Sequence, residues 1–244
     1  MKNKYTRFGI VAAMEEEITL LLRHMSKVRE HKIGVFIYYT GNLHGMEVGV
    51  ILCGIGKVNA SVGTTILIER FEPHCLINTG VAGAIVSHAA IGDIILATEV
   101  RHHDVDATAF NYEMGQIPEM PAAYCSDNEL INLALKGYQS SGGQQVLCGQ
   151  ILSGDSFIHT KSQIDHIEKN FPQVMAVEME GAAIAQVAYT FSLPFLIIRS
   201  VSDRVYEPES CDVYTKCMEE SANNSVQIVL GFIKNNAEVS CGTD

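Results

Sequence analysis

Acidic side chains fall where short apolar runs end. Glu15-Glu16-Glu17 follow Phe8-Gly-Ile-Val-Ala-Ala-Met14, and Asp155 sits in Ser153-Gly-Asp-Ser-Phe-Ile158. Glu178 and Glu180 bracket Met179 after Val174-Met-Ala-Val177, and Asp203 closes Phe195-Leu-Ile-Ile-Arg-Ser-Val-Ser202. Carboxyl groups gathered in one sheltered place can divide acid and base work, one ionised to take a proton and another protonated to give it. Each also has an ordinary use. Acids in a first helical turn complement the helix dipole, which suits Glu15 to Glu17; an Asp just past a strand can cap a helix, which suits Asp203. Glu178 and Glu180 have apolar neighbours on both sides, where burying an unpaired acid is costly.

The elements that must hold these groups are strands. Apolar, β-rich runs cover 7–13, 34–40, 47–53, 75–79, 93–98, 146–152, 174–178 and 195–201. Stretches with helical spacing lie between many of them: Ile18, Leu21, Leu22 and Met25 share one face, as do Leu130, Leu133, Ala134 and Leu135. Continuous runs such as Phe195-Leu-Ile-Ile198 predict strands covered on both faces, hence a central sheet with helices on each side. Asn42-Leu-His-Gly45 reads as a hairpin turn, which makes the sheet mixed. In open α/β sheets ligands bind beyond the carboxyl ends of strands. The acids above, and Asn78-Thr-Gly-Val-Ala-Gly83 as a turn after the fourth strand, all fall on that rim.

With 244 residues, 47% hydrophobic and 18% charged, and no linker or repeat, the chain predicts one α/β domain over 1–244, with frayed ends at 1–6 and 235–244. A net charge of −11 argues against nucleic acid and anionic membrane as partners. Seven cysteines, an odd and scattered set, suggest neither a disulfide framework nor a zinc site, and fit a reducing cytoplasm. The basic start before Phe8 is followed by too short an apolar run for a signal peptide, and no run approaches the ~20 residues of a membrane span. Gly54-Ile-Gly-Lys57 lacks the third glycine of a dinucleotide fingerprint and reads as a tight strand-to-helix turn. Arg101-His-His-Asp-Val-Asp106 matches no standard metal spacing and reads as a structural loop, so neither metal nor cofactor is expected. The aperiodic stretch from Arg101 to Tyr124 is long enough to serve a site or an interface.

Six strings occur in order along nearly the whole chain: Ala13-Met-Glu-Glu-Glu17, Gly54-Ile-Gly-Lys-Val58, Asn78 to Gly83, Ser153 to Ile158, Val177-Glu-Met-Glu180 and Arg199-Ser-Val-Ser-Asp203. Together they resemble the bacterial 5′-methylthioadenosine/S-adenosylhomocysteine nucleosidases of the nucleoside phosphorylase superfamily. That resemblance implies a single α/β domain around a mixed, partly barrel-like sheet flanked by helices, and hydrolysis of an N-glycosidic bond to release adenine. It implies that Glu17 activates water and Asp203 protonates adenine N7. By the same likeness Glu180 and Met179 hold the ribose, Phe157 and Ile158 form the adenine shelf, and Gly83 lines the ribose and water site. Met14, Ile55, Val81, Ala82, Val177, Glu178 and Ser202 complete the expected lining. The resemblance further implies a homodimer in which Phe110 and Tyr112 reach the neighbour's 5′ pocket. Tyr214 or Val213 stands where relatives use an aromatic to cover the 5′-alkylthio group, and Asn78 stands where phosphorylases place an arginine. A phosphorylase, a hydrolase of another nucleoside tail and a non-catalytic nucleoside binder are the rival readings. An Asp203 able to donate near neutral pH requires its pKa to rise through desolvation and neighbouring charge, with Glu178 or Glu180 as the expected source of repulsion.

Overall fold

Valine and isoleucine runs that cannot be satisfied on one face only become strands packed on both. A computed structural model describes residues 4–138, 144–207 and 210–241. The elements run β1 (Arg7–Ala12), α1 (Glu16–His24), β2 (Ser26–Ile33), β3 (Phe36–Leu43), β4 (Met46–Leu52), α2 (Lys57–Phe71), β5 (Cys75–Ala84), β6 (Ile94–His102), β7 (Tyr124–Cys125), α3 (Asn128–Tyr138), β8 (Val146–Ser153), α4 (Lys161–Asn170), β9 (Val174–Glu178), α5 (Gly181–Thr190), β10 (Phe195–Arg204) and α6 (Ser210–Cys241). The strands form one mixed sheet in which β5, β9, β8, β6 and β10 close on themselves, because β10 pairs both with antiparallel β6 and with parallel β5. From β5 the sheet continues as β1, β4, β3 and β2. The mixed sheet expected from the hairpin, and its partly barrel-like form implied by the family resemblance, are the ones observed.

Alternate residues of the strands feed two cores. Phe8, Ile10, Ile77 and Ile198 face one apolar cluster with residues of α1, α3 and α6, while Val11, Ile51, Leu76 and Ile197 face another with residues of α2 and α5. A third cluster includes Ile164 and Ile167 of α4. The hairpin between β3 and β4 turns through His44 and Gly45, both at positive φ, the pairing that suits a two-residue hairpin loop.

Two points differ from the sequence reading. Residues 80–83 are not a turn: β5 runs unbroken to Ala84, because Gly80 to Ala84 remain paired with β10. Strand β2 lacks an apolar run, since Ser26-Lys-Val-Arg-Glu-His-Lys-Ile33 is a mostly exposed strand paired to β3 alone. At the chain ends, expected to fray over 1–6 and 235–244, one long-range contact is present among the described residues. Tyr5 is buried, and its carbonyl accepts a 2.9 Å hydrogen bond from Asn236 Nδ2, itself buried on α6. The rest of those end segments, 1–3 and 242–244, lies outside the described residues.

Candidate active site

At the strand rim lies a cleft of about 610 Å³, its open mouth included. It is lined by Met14, Glu17, Ile55, Val81, Ala82, Gly83, Phe157, Ile158, Val177, Glu178, Met179, Glu180, Ser202 and Asp203. These are all the site residues expected of a single chain. Phe110 and Tyr112 are not among them: Phe110 sits on a 3-10 turn at Thr108–Phe110 and is 77% exposed. Ala13, Ser156, Val205 and Tyr214 also line the cleft. Of these, Ala13 and Ser156 lie inside the strings already noted, whereas Val205 carries no sequence signal of its own.

Glu17, in the first turn of α1, does not point outward as a dipole-complementing acid would. Its side chain folds back so that Oε2 accepts from the Ala13 and Met14 amides at 2.7 and 3.1 Å. Burial raises its pKa, while the Arg199 charge and those two amides pull the other way. Gly80 explains the close packing beyond it, since a Cβ there would lie 2.8 Å from both Glu17 Oε1 and Arg199 Nη1.

Arg199 is wholly buried and belongs to Glu178. That carboxylate accepts from Arg199 Nη2 and from Ser153 Oγ, from the Glu180 amide at 3.0 Å, and from the Gly181 amide at 2.8 Å on Oε2. Burial works to raise its pKa, but Arg199 and these donors outweigh it and hold Glu178 below the usual carboxylate range. Glu178 is thus a fixed anion in the cleft wall with its hydrogen-bonding capacity spent. Glu180 differs. Its Oε1 accepts from the Gly56 amide at 2.8 Å, ahead of α2, and Arg199 Nη2 stays 3.9 Å from its Oε2. Burial first, then the Glu178 charge, pushes its pKa up to about 8. That rise favours the protonated form of Glu180 near pH 7, which relieves repulsion among the three acids around Arg199.

Asp203 is set by an irregularity in its strand. Val201 pairs with Ala82 and Asp203 with Gly83, so Ser202 is an extra residue that breaks the alternation, and Ser202 and Asp203 both line the cleft. Asp203 Oδ1 accepts from Ser202 Oγ at 2.8 Å; Oδ2 is buried without a partner among the described residues. Burial raises its pKa, with Glu207 adding to the effect and Ser202 opposing it. The repulsion expected from Glu178 or Glu180 is not the source: desolvation dominates. A buried oxygen with no protein partner is costly unless a ligand supplies one.

Tyr214 of α6 packs edge-on against Phe157, ring centroids 5.6 Å apart, and its hydroxyl lies 3.8 Å from Met14 Sδ. Its position fits a cover for one end of the cleft. Among the described residues lining the cleft there is no lysine or arginine. Asn78 does not face it either: buried on β5, it donates from Nδ2 to Val11 O at 2.9 Å.

A closed strand ring whose rim carries three pKa-raised acids, Glu17, Glu180 and Asp203, beside the Phe157 ring defines an α/β enzyme site for a largely uncharged, ring-bearing ligand. Comparison with known proteins makes this specific. The sequence profile described as Phosphorylase superfamily matches residues 7–234. A curated 5′-methylthioadenosine/S-adenosylhomocysteine nucleosidase of Desulfotalea psychrophila is 53% identical over 228 residues, 93% of this chain and 97% of that protein. The crystal structure of the Neisseria meningitidis nucleosidase of the same name, in complex with methylthio-immucillin-A, superposes with a TM-score of 0.92 at 41% identity, covering 94% of this chain and 99% of that one. The Colwellia psychrerythraea nucleosidase in complex with adenine gives a TM-score of 0.92 at 38% identity, covering 96% and 97%. The chain belongs to the phosphorylase superfamily and, within it, to the 5′-methylthioadenosine/S-adenosylhomocysteine nucleosidases.

Proposed function

We propose that this chain hydrolyses the N-glycosidic bond of 5′-methylthioadenosine and S-adenosylhomocysteine, with Glu17 as general base and Asp203 as general acid. The bond breaks through an oxocarbenium-like state, so the departing purine needs a proton and the anomeric carbon needs a nucleophile. Glu17 takes the proton of a water that attacks the anomeric carbon. Asp203 delivers a proton to adenine N7 as the bond to N9 opens. The unpartnered Oδ2 of Asp203 is the observation that carries this reading, because a purine N7 is an acceptor suited to a protonated carboxyl there. Glu180 takes the ribose hydroxyls on its Oε2 side, Met179 packs beneath the sugar, and the 157–158 shelf receives the adenine. The remaining lining residues shape the pocket.

Water is favoured over phosphate as nucleophile by charge. A phosphate dianion entering this cleft would meet the fixed Glu178 anion and Glu17, with the Arg199 guanidinium already paired to Glu178. Adenine release from methylthioadenosine in phosphate-free buffer is expected at the same rate as with added phosphate, the sugar product carrying no phosphate. Strict phosphate dependence would overturn hydrolysis, and tight binding without release would favour a binding protein.

The enzyme acts as a single nucleosidase domain of the cytoplasm, and its working form is a homodimer in which Phe110 and Tyr112 of one copy cover the 5′ end of the other's cleft. Phe110, 77% exposed, is free to contact a second copy, and the family resemblance is what motivates that placement. Phe110→Ala and Tyr112→Ala are expected to raise KM for alkylthio nucleosides about tenfold, the scale of one lost aromatic contact. Unchanged KM values in both variants would remove the capping role. Among the described residues no helix is long and apolar enough to cross a membrane.

A further inference from the structure

The Arg101–Asp106 stretch, which the chemistry above does not use, makes a specific set of contacts. Asp104 Oδ1 accepts from Lys57 Nζ at 2.6 Å, and Asp104 Oδ2 accepts from the Asp155 amide at 3.0 Å. Asp155 in turn uses Oδ1 to accept from the Lys57 amide, the first residue of α2, at 2.8 Å. One residue earlier the Gly56 amide donates to Glu180. Two residues after Asp155 stand Phe157 and Ile158. A closed circuit therefore joins the turn that holds Glu180, the loop that carries the shelf, and the loop leading to Phe110.

The circuit is packed as well as bonded. Gly56 sits at φ +94°, and a Cβ there would lie 3.1 Å from Asp155 Oδ1; a Cβ on Gly154 would lie 2.3 Å from the His103 ring. The Gly154 amide also donates to Glu178 O at 3.2 Å, tying the same loop to the acid cluster. The Lys57 and Asp104 side chains are only 20% and 26% exposed, which protects their pair from full solvent screening.

We propose that Asp104 is a positioning residue for the nucleoside cleft: by bridging Lys57 and the Asp155 amide it keeps the adenine shelf and the Glu180-binding turn in register with each other. This rests on the cleft being the nucleoside site. Asp104 touches no reacting atom, and its effect falls on substrate binding more than on bond cleavage.

The test is steady-state kinetics on methylthioadenosine with Asp104→Asn, Asp104→Ala, Lys57→Met and the Asp104→Asn/Lys57→Met double variant, with calorimetric Kd values for adenine alongside. Asp104→Asn can still accept from the Asp155 amide but gives up the charge facing Lys57; Asp104→Ala gives up both. KM and the adenine Kd are expected to rise about fivefold in Asp104→Asn and Lys57→Met, and about tenfold or more in Asp104→Ala, while kcat stays within about threefold. The double variant should be no more than about twofold worse than the worse single, since the two changes break one link. The inference fails if KM and Kd stay within about twofold in all the variants, if kcat falls while KM holds, or if the two single effects multiply. Should Asp104→Ala not fold, the near-isosteric Asp104→Asn decides. A wild-type protein that binds adenine but releases none from methylthioadenosine would refute the hydrolytic reading, and the adenine Kd series would still judge Asp104.

Discussion

Asp203→Asn is expected to lower kcat for adenine release by about 10²- to 10⁴-fold while moving KM little, the range over which a positioned general acid contributes. The substitution is close to isosteric. Its amide can occupy the same bulge-directed position and can still donate a hydrogen bond from the Oδ2 side to a purine N7, so binding survives. What it cannot do is give up a proton. The sign of the pH dependence follows from the shift. Burial, with Glu207 adding to it, holds the Asp203 proton to higher pH than an exposed aspartate would, so turnover in the wild type should fall as pH rises through that raised value. In Asp203→Asn that alkaline limb should vanish. A substrate whose leaving group departs without N7 protonation, such as a 5′-methylthio riboside of p-nitrophenol, should lose far less in the variant than methylthioadenosine does. Equal losses on both substrates would mean that Asp203 shapes the cleft rather than feeding the proton.

The sequence carried the pieces of this site but not their states. Glu178 and Glu180 are two residues apart in one apolar string, and pattern alone treats them alike. Only the fold separates them: Glu178 receives Arg199, Ser153 and two amides and becomes a fixed anion, while Glu180 gets one amide and is pushed up to about 8. Arg199 was visible only as part of a string, because nothing local says that it crosses to Glu178 and lies beside Glu17. The strands were legible where burial on both faces made their runs continuous, and illegible for β2, an edge strand whose polar residues face solvent. Residues 80–83 looked like a turn because two glycines frame them. They stay in the strand because they remain paired with β10, while the missing Cβ at Gly80 leaves room for Glu17 and Arg199. The long-range bond from Asn236 to Tyr5 O, within the polar end segment 235–244, is absent from any local pattern.

Glu17→Gln should cost at least as much as the loss of the acid, about 10²-fold or more in kcat, again with KM nearly unchanged. The geometry makes glutamine a demanding test. Two backbone amides, from Ala13 and Met14, donate to Oε2, so a glutamine must place its carbonyl oxygen there and turn its NH2 toward the position of Oε1. A donor would then stand where the proton acceptor for water is needed. In the wild type, burial raises the Glu17 pKa against the pull of Arg199 and the two amides, and the base acts only when ionised, so activity should be lost as pH falls through this value. Glu180 helps at this point: it holds its proton below about 8, which spares Glu17 a second nearby negative charge in the range where it must itself be ionised. Burial raises both groups, with Arg199 opposing it at Glu17 and Ser202 opposing it at Asp203. The proposed roles, an ionised Glu17 and a protonated Asp203, predict a bell-shaped kcat/KM profile whose acid limb disappears in Glu17→Gln and whose alkaline limb disappears in Asp203→Asn. A Glu17→Gln enzyme that keeps more than about a tenth of wild-type kcat, with its acid limb in place, would mean that another group takes the proton from water.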